Sequence, residues 1–488
     1  MAILRKAAPP RIDPSSPWID DLFERETEGQ VLANLIASSA ESPLVISLQS
    51  PWGSGKTVFL QRLALHMAGT MRIPTVTIDA WKTDDCADPL VAIVAQLTRQ
   101  LEAFRVQEPK LSRVVDRCIS GLASHGSRII LPGSSILADL TVPGSGSVLR
   151  AAGQFAEKLL DAQKHRADAE KSFRKTLLDV RDLLTGRDPG RRPRPILIII
   201  DELDRCRPDH AIRTLERIKH YFDAPGISFL IATDRGNLPA AVQSVYGAHV
   251  DGELYLRKFF DYEFHLRAPQ PKVFAKNLVQ NYLLPEVEPI LMQELRPTRS
   301  AEMDSMLGLI RDPAKTRPLL KGEYLDAFQE FSESLQLTLR DQEQAMTMIS
   351  AFVHSRAEDQ EPIPVIDCFL ACLRYAHPPS FRALVEGGTR IPLIESTSDV
   401  DVQFTKRLRA LPHWEAIEVA INQTRLPGPP RTTEEGPTVL SDKLLRLYLS
   451  TSRSRLTRTP LLILAARLYA RDFYFFSYAR AFLRLGIT

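Results

Sequence analysis

Short apolar runs alternate with amphipathic stretches over the first half of the chain, while amphipathic stretches alone fill the second. Leu44-Val45-Ile46-Ser47-Leu48 reads as a strand, and the stretch after it, with Phe59, Leu60, Leu63 and Leu65, reads as a helix. Ile73 to Asp79 alternates apolar and polar positions and predicts a second strand. Residues 89–118 carry Leu90, Ile93, Val94, Leu97 and Leu101 at helical spacing. Ile196-Leu197-Ile198-Ile199-Ile200 is continuously apolar, and Ile227 to Thr233 nearly so, with a helical pattern from His210 to Phe222 between them. Runs of that kind suit strands buried on both faces of a parallel sheet. The alternation predicts a doubly wound α/β domain.

Around this core the pattern changes. Residues 1–16 are rich in Pro and Ser and read as extended; residues 17–40 read as an amphipathic helix introduced by Trp18-Ile19-Asp20-Asp21. Residues 120–150, rich in Gly and Ser, read as an insertion with little regular structure, and 151–185 as a charged helical insert. From about residue 271 helical patterns take over, at 272–282, 322–354, 363–375, 403–422, 440–450 and 459–484. The expected organisation is an N-terminal segment (1–16), an α/β domain (17–270), a helical lid-like domain (271–425) and a C-terminal helical region (426–488) set off by Leu426-Pro427-Gly428-Pro429-Pro430. Phe473 to Tyr478 reads as part of a core helix.

Ser50-Pro51-Trp52-Gly53-Ser54-Gly55-Lys56-Thr57 sits between the first strand and its helix. Strand, Gly-rich loop, Lys-Thr and helix form the context of a P-loop. Gly53 and Gly55 let the backbone wrap a phosphate, and the N–H groups at the helix start favour an anion. Trp52, Gly53, Ser54, Gly55, Lys56, Thr57 and Val58 are the candidate nucleotide-binding residues. Lys56 is expected to reach the β and γ phosphates, and the Thr57 hydroxyl to bind Mg²⁺. Ser50 stands where a P-loop usually has its first glycine, which weakens the match.

Ile198-Ile199-Ile200-Asp201-Glu202 delivers two acids at the end of a buried strand, where ligands of open α/β sheets sit. Asp201 is the expected partner of Thr57 in holding Mg²⁺, and Glu202 the group that orients and polarises an attacking water. Thr233-Asp234-Arg235 closes the next strand, where a residue sensing the γ-phosphate would sit. Arg205 and Arg257 are candidates for an arginine finger donated to a neighbouring subunit; Arg205 could equally pair with Asp201 or Asp209 as scaffold. Thr338 is placed to N-cap a helix whose first turn carries Arg340, an arginine able to report on the nucleotide or to pair with a surface acid.

Apolar residues make up 44% of the 488 positions and charged residues 25%, ordinary for a folded protein. A net charge of +3 is too small to argue for nucleic acid or an anionic surface; the basic run from Arg187 to Arg194 reads as a solvated linker. Five cysteines (Cys86, Cys118, Cys206, Cys368, Cys372) form no disulfide framework and suit a reducing compartment. Cys368 and Cys372, one helical turn apart, read as core thiols. No apolar run has the length of a signal-peptide core or a membrane span. A cytoplasmic location is expected.

Four stretches together resemble the KAP family of P-loop NTPases: Trp52 to Thr57, Asp79-Ala80-Trp81-Lys82, Asp201-Glu202-Leu203-Asp204-Arg205-Cys206, and Tyr255-Leu256-Arg257-Lys258-Phe259-Phe260 followed by Phe264, Leu266 and Pro269. Their order and spacing agree over roughly residues 17–350. Glu202 stands where the family often has Asp. Many members carry two membrane spans between the two nucleotide motifs; the insertion here is too polar and broken for that, so the resemblance implies a member without them. It also implies ATP as nucleotide, a lid-arginine role for Arg340, and, for bacterial members, a frequent link to anti-phage defence beside partner proteins. Self-association is expected where fingers act in trans. Three functions follow: an Mg²⁺-dependent ATPase coupling nucleotide state to conformational change, a nucleotide-binding scaffold with little hydrolysis, and a P-loop kinase.

Overall fold

The five strands among the described residues are short and mostly apolar, and each lies where its run of Ile, Leu and Val predicts burial, except the last. In this computed structural model the described residues are 10–86, 88–130, 148–186, 193–234, 236–282, 313–355, 364–385, 403–404 and 406–407. One compact unit spans Pro10–Ala268, and a second begins at Pro269.

In the first unit, α1 (Glu26–Ser38) leads to β1 (Leu44–Gln49), α2 (Lys56–Gly69) and β2 (Thr75–Asp79). A 3₁₀ turn (Trp81–Thr83), α3 (Pro89–Gln107), α4 (Ser112–Ile130) and α5 (Val148–Thr185) follow. Then come β3 (Ile196–Asp201), a second 3₁₀ turn (Leu203–Arg205), α6 (Pro208–Tyr221), β4 (Ile227–Thr233), α7 (Asn237–Tyr246), α8 (Gly252–Leu256) and β5 (Tyr262–His265). The strands form one sheet in the order β2-β3-β4-β1-β5, every neighbouring pair parallel. β1 therefore pairs with two strands that come much later in the chain, and the sheet's order reverses beside it.

Alternate side chains of the apolar runs enter two different cores. Ile196, Ile198 and Ile200 join Leu90, Ile93, Leu215 and Phe229 on one face. Leu197 and Ile199 join Leu32, Ile36, Phe59 and Leu63 on the other. Each fully buried aliphatic side chain contributes ~1.5–3 kcal/mol, so a strand with no polar face is stabilised from both sides. Buried Arg62 of α2 donates to the Pro17 carbonyl and to Asp20 Oδ1 at 2.8 Å, and the Trp18 ring lies 5.7 Å from that of Phe59. These contacts fasten the segment before α1 to the nucleotide-loop helix.

Three expectations are corrected here. The helix read over 17–40 is confined to Glu26–Ser38, with turns before it. The helix read over 89–118 is two helices, because Glu108 leaves helical geometry (φ −125°, ψ 71°) and Pro109, which has no N–H to donate, opens a new turn. The irregular insertion read over 120–150 begins later, since α4 runs to Ile130 and packs Leu122 and Ile129 into the core; 131–147 lie outside the described residues. β5 (Tyr-Glu-Phe-His) was not legible, being four residues long and largely exposed.

The second unit contains α9 (Pro271–Tyr282), α10 (Pro313–Ser334), α11 (Leu339–Ser355), α12 (Pro364–Ala376) and α13 (Pro378–Val385). α12 is buried from Pro364 to Leu373, including Cys368 and Cys372, and the Asp367 carboxylate accepts from the Tyr324 hydroxyl. Burial pushes both thiols up, so they are core groups, as their spacing suggests. Thr338 caps α11: Asp341 N–H donates to Thr338 Oγ1 at 3.2 Å while Thr338 N–H donates back to Asp341 Oδ2 at 3.2 Å. The 403–422 pattern falls largely, and the 440–450 and 459–484 patterns with Phe473–Tyr478 wholly, outside the described residues. Among the described residues no helix is long and apolar enough to cross a membrane.

Candidate functional site

The carboxyl ends of β1, β3 and β4 lie level, since Gln49 is in register with Thr233 and Ile200 with Ile231. After β1 the chain turns through Gly53 (φ 70°) and Gly55 (φ 84°), left-handed geometries that a Cβ resists. Gly55 is the N-cap of α2, so Lys56 and Thr57 occupy its first turn, where backbone N–H groups remain available to an anion.

Thr57 Oγ1 donates to Asp201 Oδ2 at 2.8 Å, joining positions 144 residues apart. Lys56 Nζ donates to the Ser50 carbonyl at 2.6 Å and the Thr233 carbonyl at 3.3 Å, and lies 3.9 Å from Asp204 Oδ2. Trp52 donates its backbone N–H to Asp234 Oδ2 at 3.1 Å and its indole N–H to Asp204 Oδ2 at 2.7 Å. The loop is thus tied to the ends of both β3 and β4. Asp234 Oδ1 also accepts the Gly236 N–H at 2.9 Å, which fixes the turn after β4. Val58 is half-buried in the same helical turn.

Ser50 does not need to be glycine. It is buried, its backbone is not left-handed, and its hydroxyl donates to Ser54 Oγ at 2.6 Å, bracing the loop from within. From outside, Arg25 performs the same task. Only 2% exposed, it donates to the Ser54 carbonyl at 3.0 Å and to the Arg267 carbonyl at 2.6 Å. Desolvation lowers the Arg25 pKa, with Glu28 and Asp21 opposing it. Sequence reading missed Arg25, which no local signal marks, placed Asp234 only within a candidate sensor segment, and gave Asp204 no role of its own.

Desolvation raises the Asp201 pKa, opposed by the Thr57 hydrogen bond, the Glu202 N–H and Lys56. A buried carboxylate in that condition suits a cation. Among the described residues no group of three or more His, Cys, Asp or Glu could hold a metal. The hydroxyl of Thr57 and the carboxylate of Asp201, 2.8 Å apart, are oxygen donors of the kind Mg²⁺ takes from a protein, with phosphate and water completing its shell. Thr57 Oγ1 and Asp201 Oδ2 are the oxygens that would hold it.

Glu202 is left-handed (φ 63°), a strained setting for a residue with a Cβ. Its N–H donates to Asp201 Oδ1 at 2.9 Å, and its carboxylate pairs with Arg205 Nε. Desolvation raises its pKa, with Arg205 opposing and Asp201, Asp204 and Asp79 reinforcing. Arg205 therefore pairs with neither Asp201 nor Asp209, the scaffold partners its spacing suggested. Cys206 follows, its thiol pushed up to about 12 by burial and the surrounding acids.

The structure thus gathers Trp52, Lys56, Thr57, Asp201, Glu202 and Arg205 at one sheet edge. Arg257 is not among them. It follows α8 in the segment that enters β5 from the amino edge of the sheet, and its exposed side chain has no ion pair or hydrogen bond among the described residues. Arg340 lies in the first turn of α11 in the second unit, exposed and near Glu343, whose pKa burial raises with Arg340 opposing.

A parallel sheet of this order, with a glycine loop feeding a Lys-Thr helix start against a strand-end aspartate, defines a nucleotide-binding P-loop domain. The model of the KAP family P-loop domain matches residues 25–364, and the chain belongs to that family. A search of curated proteins gave no significant match. Among solved structures the chain is similar to the ORC2 protein of Aeropyrum pernix in its ADPNP–ADP complexes, with 11% identity, 92% of this chain and 94% of that one covered, and a TM-score of 0.34. It is similar to the same protein in its ADP form at 11% identity, the same coverage and a TM-score of 0.33.

Proposed function

We propose that the chain binds ATP with Mg²⁺, hydrolyses it, and couples nucleotide state to conformational change or assembly, with anti-phage defence as the setting its family likeness suggests. The observation that supports this reading is the 2.8 Å bond between Thr57 Oγ1 and Asp201 Oδ2, which joins the loop helix to the end of β3 beside Lys56. The N–H groups at the start of α2 and Lys56 would bind the phosphates, and Mg²⁺ would supply charge neutralisation there. Glu202 would accept a proton from the water that attacks the γ-phosphorus. Inorganic phosphate and ADP are the products. Arg257, exposed and uncommitted, is the better candidate for a finger acting in trans; Arg205 is occupied by Glu202.

That occupation also favours a second reading, a nucleotide-binding scaffold with little turnover, because a base held in an ion pair is a poor base. Glu202→Gln separates the two. In a hydrolase it lowers kcat by ~10²–10⁴ while ATP binding persists; equal phosphate release by variant and wild type would leave the scaffold. The assembly reading predicts a larger particle on size exclusion with Mg·ADPNP than without. An unchanged elution volume would remove it.

A further inference from the structure

Asp204 is the acid of this edge that neither metal binding nor water activation uses. Its side chain is only 3% exposed, yet it touches the phosphate-binding machinery twice. Oδ2 accepts the indole N–H of Trp52 at the loop tip at 2.7 Å and lies 3.9 Å from the ammonium of Lys56. Trp52 itself is 48% exposed, so its ring is not fixed by burial but by that hydrogen bond and by its own N–H on Asp234. Lys56 donates to two carbonyls, and Asp204 Oδ2 at 3.9 Å lies within ion-pair reach of its ammonium but beyond a hydrogen bond.

A phosphate that takes Lys56 therefore competes with the Asp204 carboxylate, the charged group nearest its ammonium. Binding that has to displace a competing partner is weakened by the fraction of the protein in which that partner is engaged. The Trp52 N–H moderates the competition, because it draws on the same Oδ2 lone pairs that attract Lys56. We propose that Asp204 is a positioning residue that holds Lys56 and the loop tip together, so that nucleotide capture is an exchange of the lysine's carboxylate partner for phosphate. The proposal rests on the nucleotide reading above and adds the residue that sets its affinity.

Opposite signs in two variants test it. Asp204→Asn keeps an acceptor for Trp52 and removes the charge that competes for Lys56. It should bind Mg·ADPNP about two- to fivefold more tightly than the wild type, the size of one weak ion pair. Trp52→Phe keeps a ring but releases Oδ2 wholly to Lys56, and should bind about two- to fivefold more weakly. In the Asp204→Asn background Trp52→Phe should have no further effect. The readout is equilibrium titration of the full chain with Mg·ADPNP, with tryptophan emission followed in parallel. The nucleotide-dependent emission change should vanish in Trp52→Phe.

A merely structural Asp204 gives the reverse sign: weaker binding and a lower melting temperature in Asp204→Asn. That result, or affinity equal to wild type, overturns the proposal. Should Asp204→Asn not fold, Trp52→Phe alone decides, since unchanged or tighter binding there contradicts the exchange. Wild-type protein that takes up no Mg·ADPNP would overturn the nucleotide reading itself, and the exchange with it.

Discussion

The body of β3 and its last residue, with the turn after it, obey different rules, though they are contiguous. From Ile196 to Ile200 every side chain is almost wholly buried, and each contributes by excluding water. Five residues later the chain has placed Asp201, Glu202, Asp204 and Arg205 at the same edge, with Glu202 in a left-handed conformation and Asp201 carrying a raised pKa. The first stretch lowers the free energy of folding; the second raises it, and is held only because the first stretch over-determines where it sits. A site of this kind depends on a rigid sheet, yet the sheet's stability does not depend on the site.

Separation of the two roles can be broken deliberately. Glu202→Gln, with its loss in kcat, should leave the thermal midpoint within about a degree or two of wild type, because an exposed or half-buried isosteric change costs little. Ile199→Ala should do the opposite. It opens a cavity among Leu32, Phe59 and Leu230, costs ~2–5 kcal/mol in denaturant unfolding, and should leave the Kd for Mg·ADPNP unchanged in the fraction that folds. Arg25→Met falls between them. It leaves the Ser54 and Arg267 carbonyls without their donor at ~1–3 kcal/mol, and should weaken nucleotide binding as well, because Ser54 belongs to the loop. If Arg25→Met destabilises the fold without touching affinity, the brace is not part of the site.

The smallest effect is a pH shift. If the proposed hydrolysis holds, Glu202 has to be ionised to accept a proton, and desolvation raises its pKa above 4.5, so kcat should fall on the acid side with a midpoint above that value. Arg205 opposes the rise. Arg205→Met removes a cation and should move the acid limb further upward. A limb that moves downward would mean Arg205 does not act on Glu202 during turnover as proposed.

What was legible in the sequence follows from distance along the chain. Lys56, Thr57, Asp201 and Glu202 each lie within a few residues of an apolar strand, so their motif and context are read together. Arg25 could not be found that way, since its two acceptors stand 29 and 242 residues away. The aspartates that fix Trp52 are 152 and 182 residues from it. Ser50 read as a defect because glycine at that point is usually explained by backbone geometry; here the backbone needs no glycine and the hydroxyl has a partner. β5 escaped because its burial is slight and its partner, β1, supplies the register. The break at Glu108-Pro109 was present in the sequence but lost within a longer helical pattern. The α/β class, by contrast, needed only the alternation of runs.

The position of β1 has a consequence for how the protein is made. Leu44 pairs with Ser228 and Ile46 with Tyr262, so the strand that carries the phosphate loop gains its first neighbour only when β4 has been synthesised and its second only with β5. At ~5–20 residues per second the ribosome holds that strand unpaired for roughly ten to forty seconds. Until then the loop lacks the strand-end groups of β3 and β4 against which Thr57 and Lys56 rest.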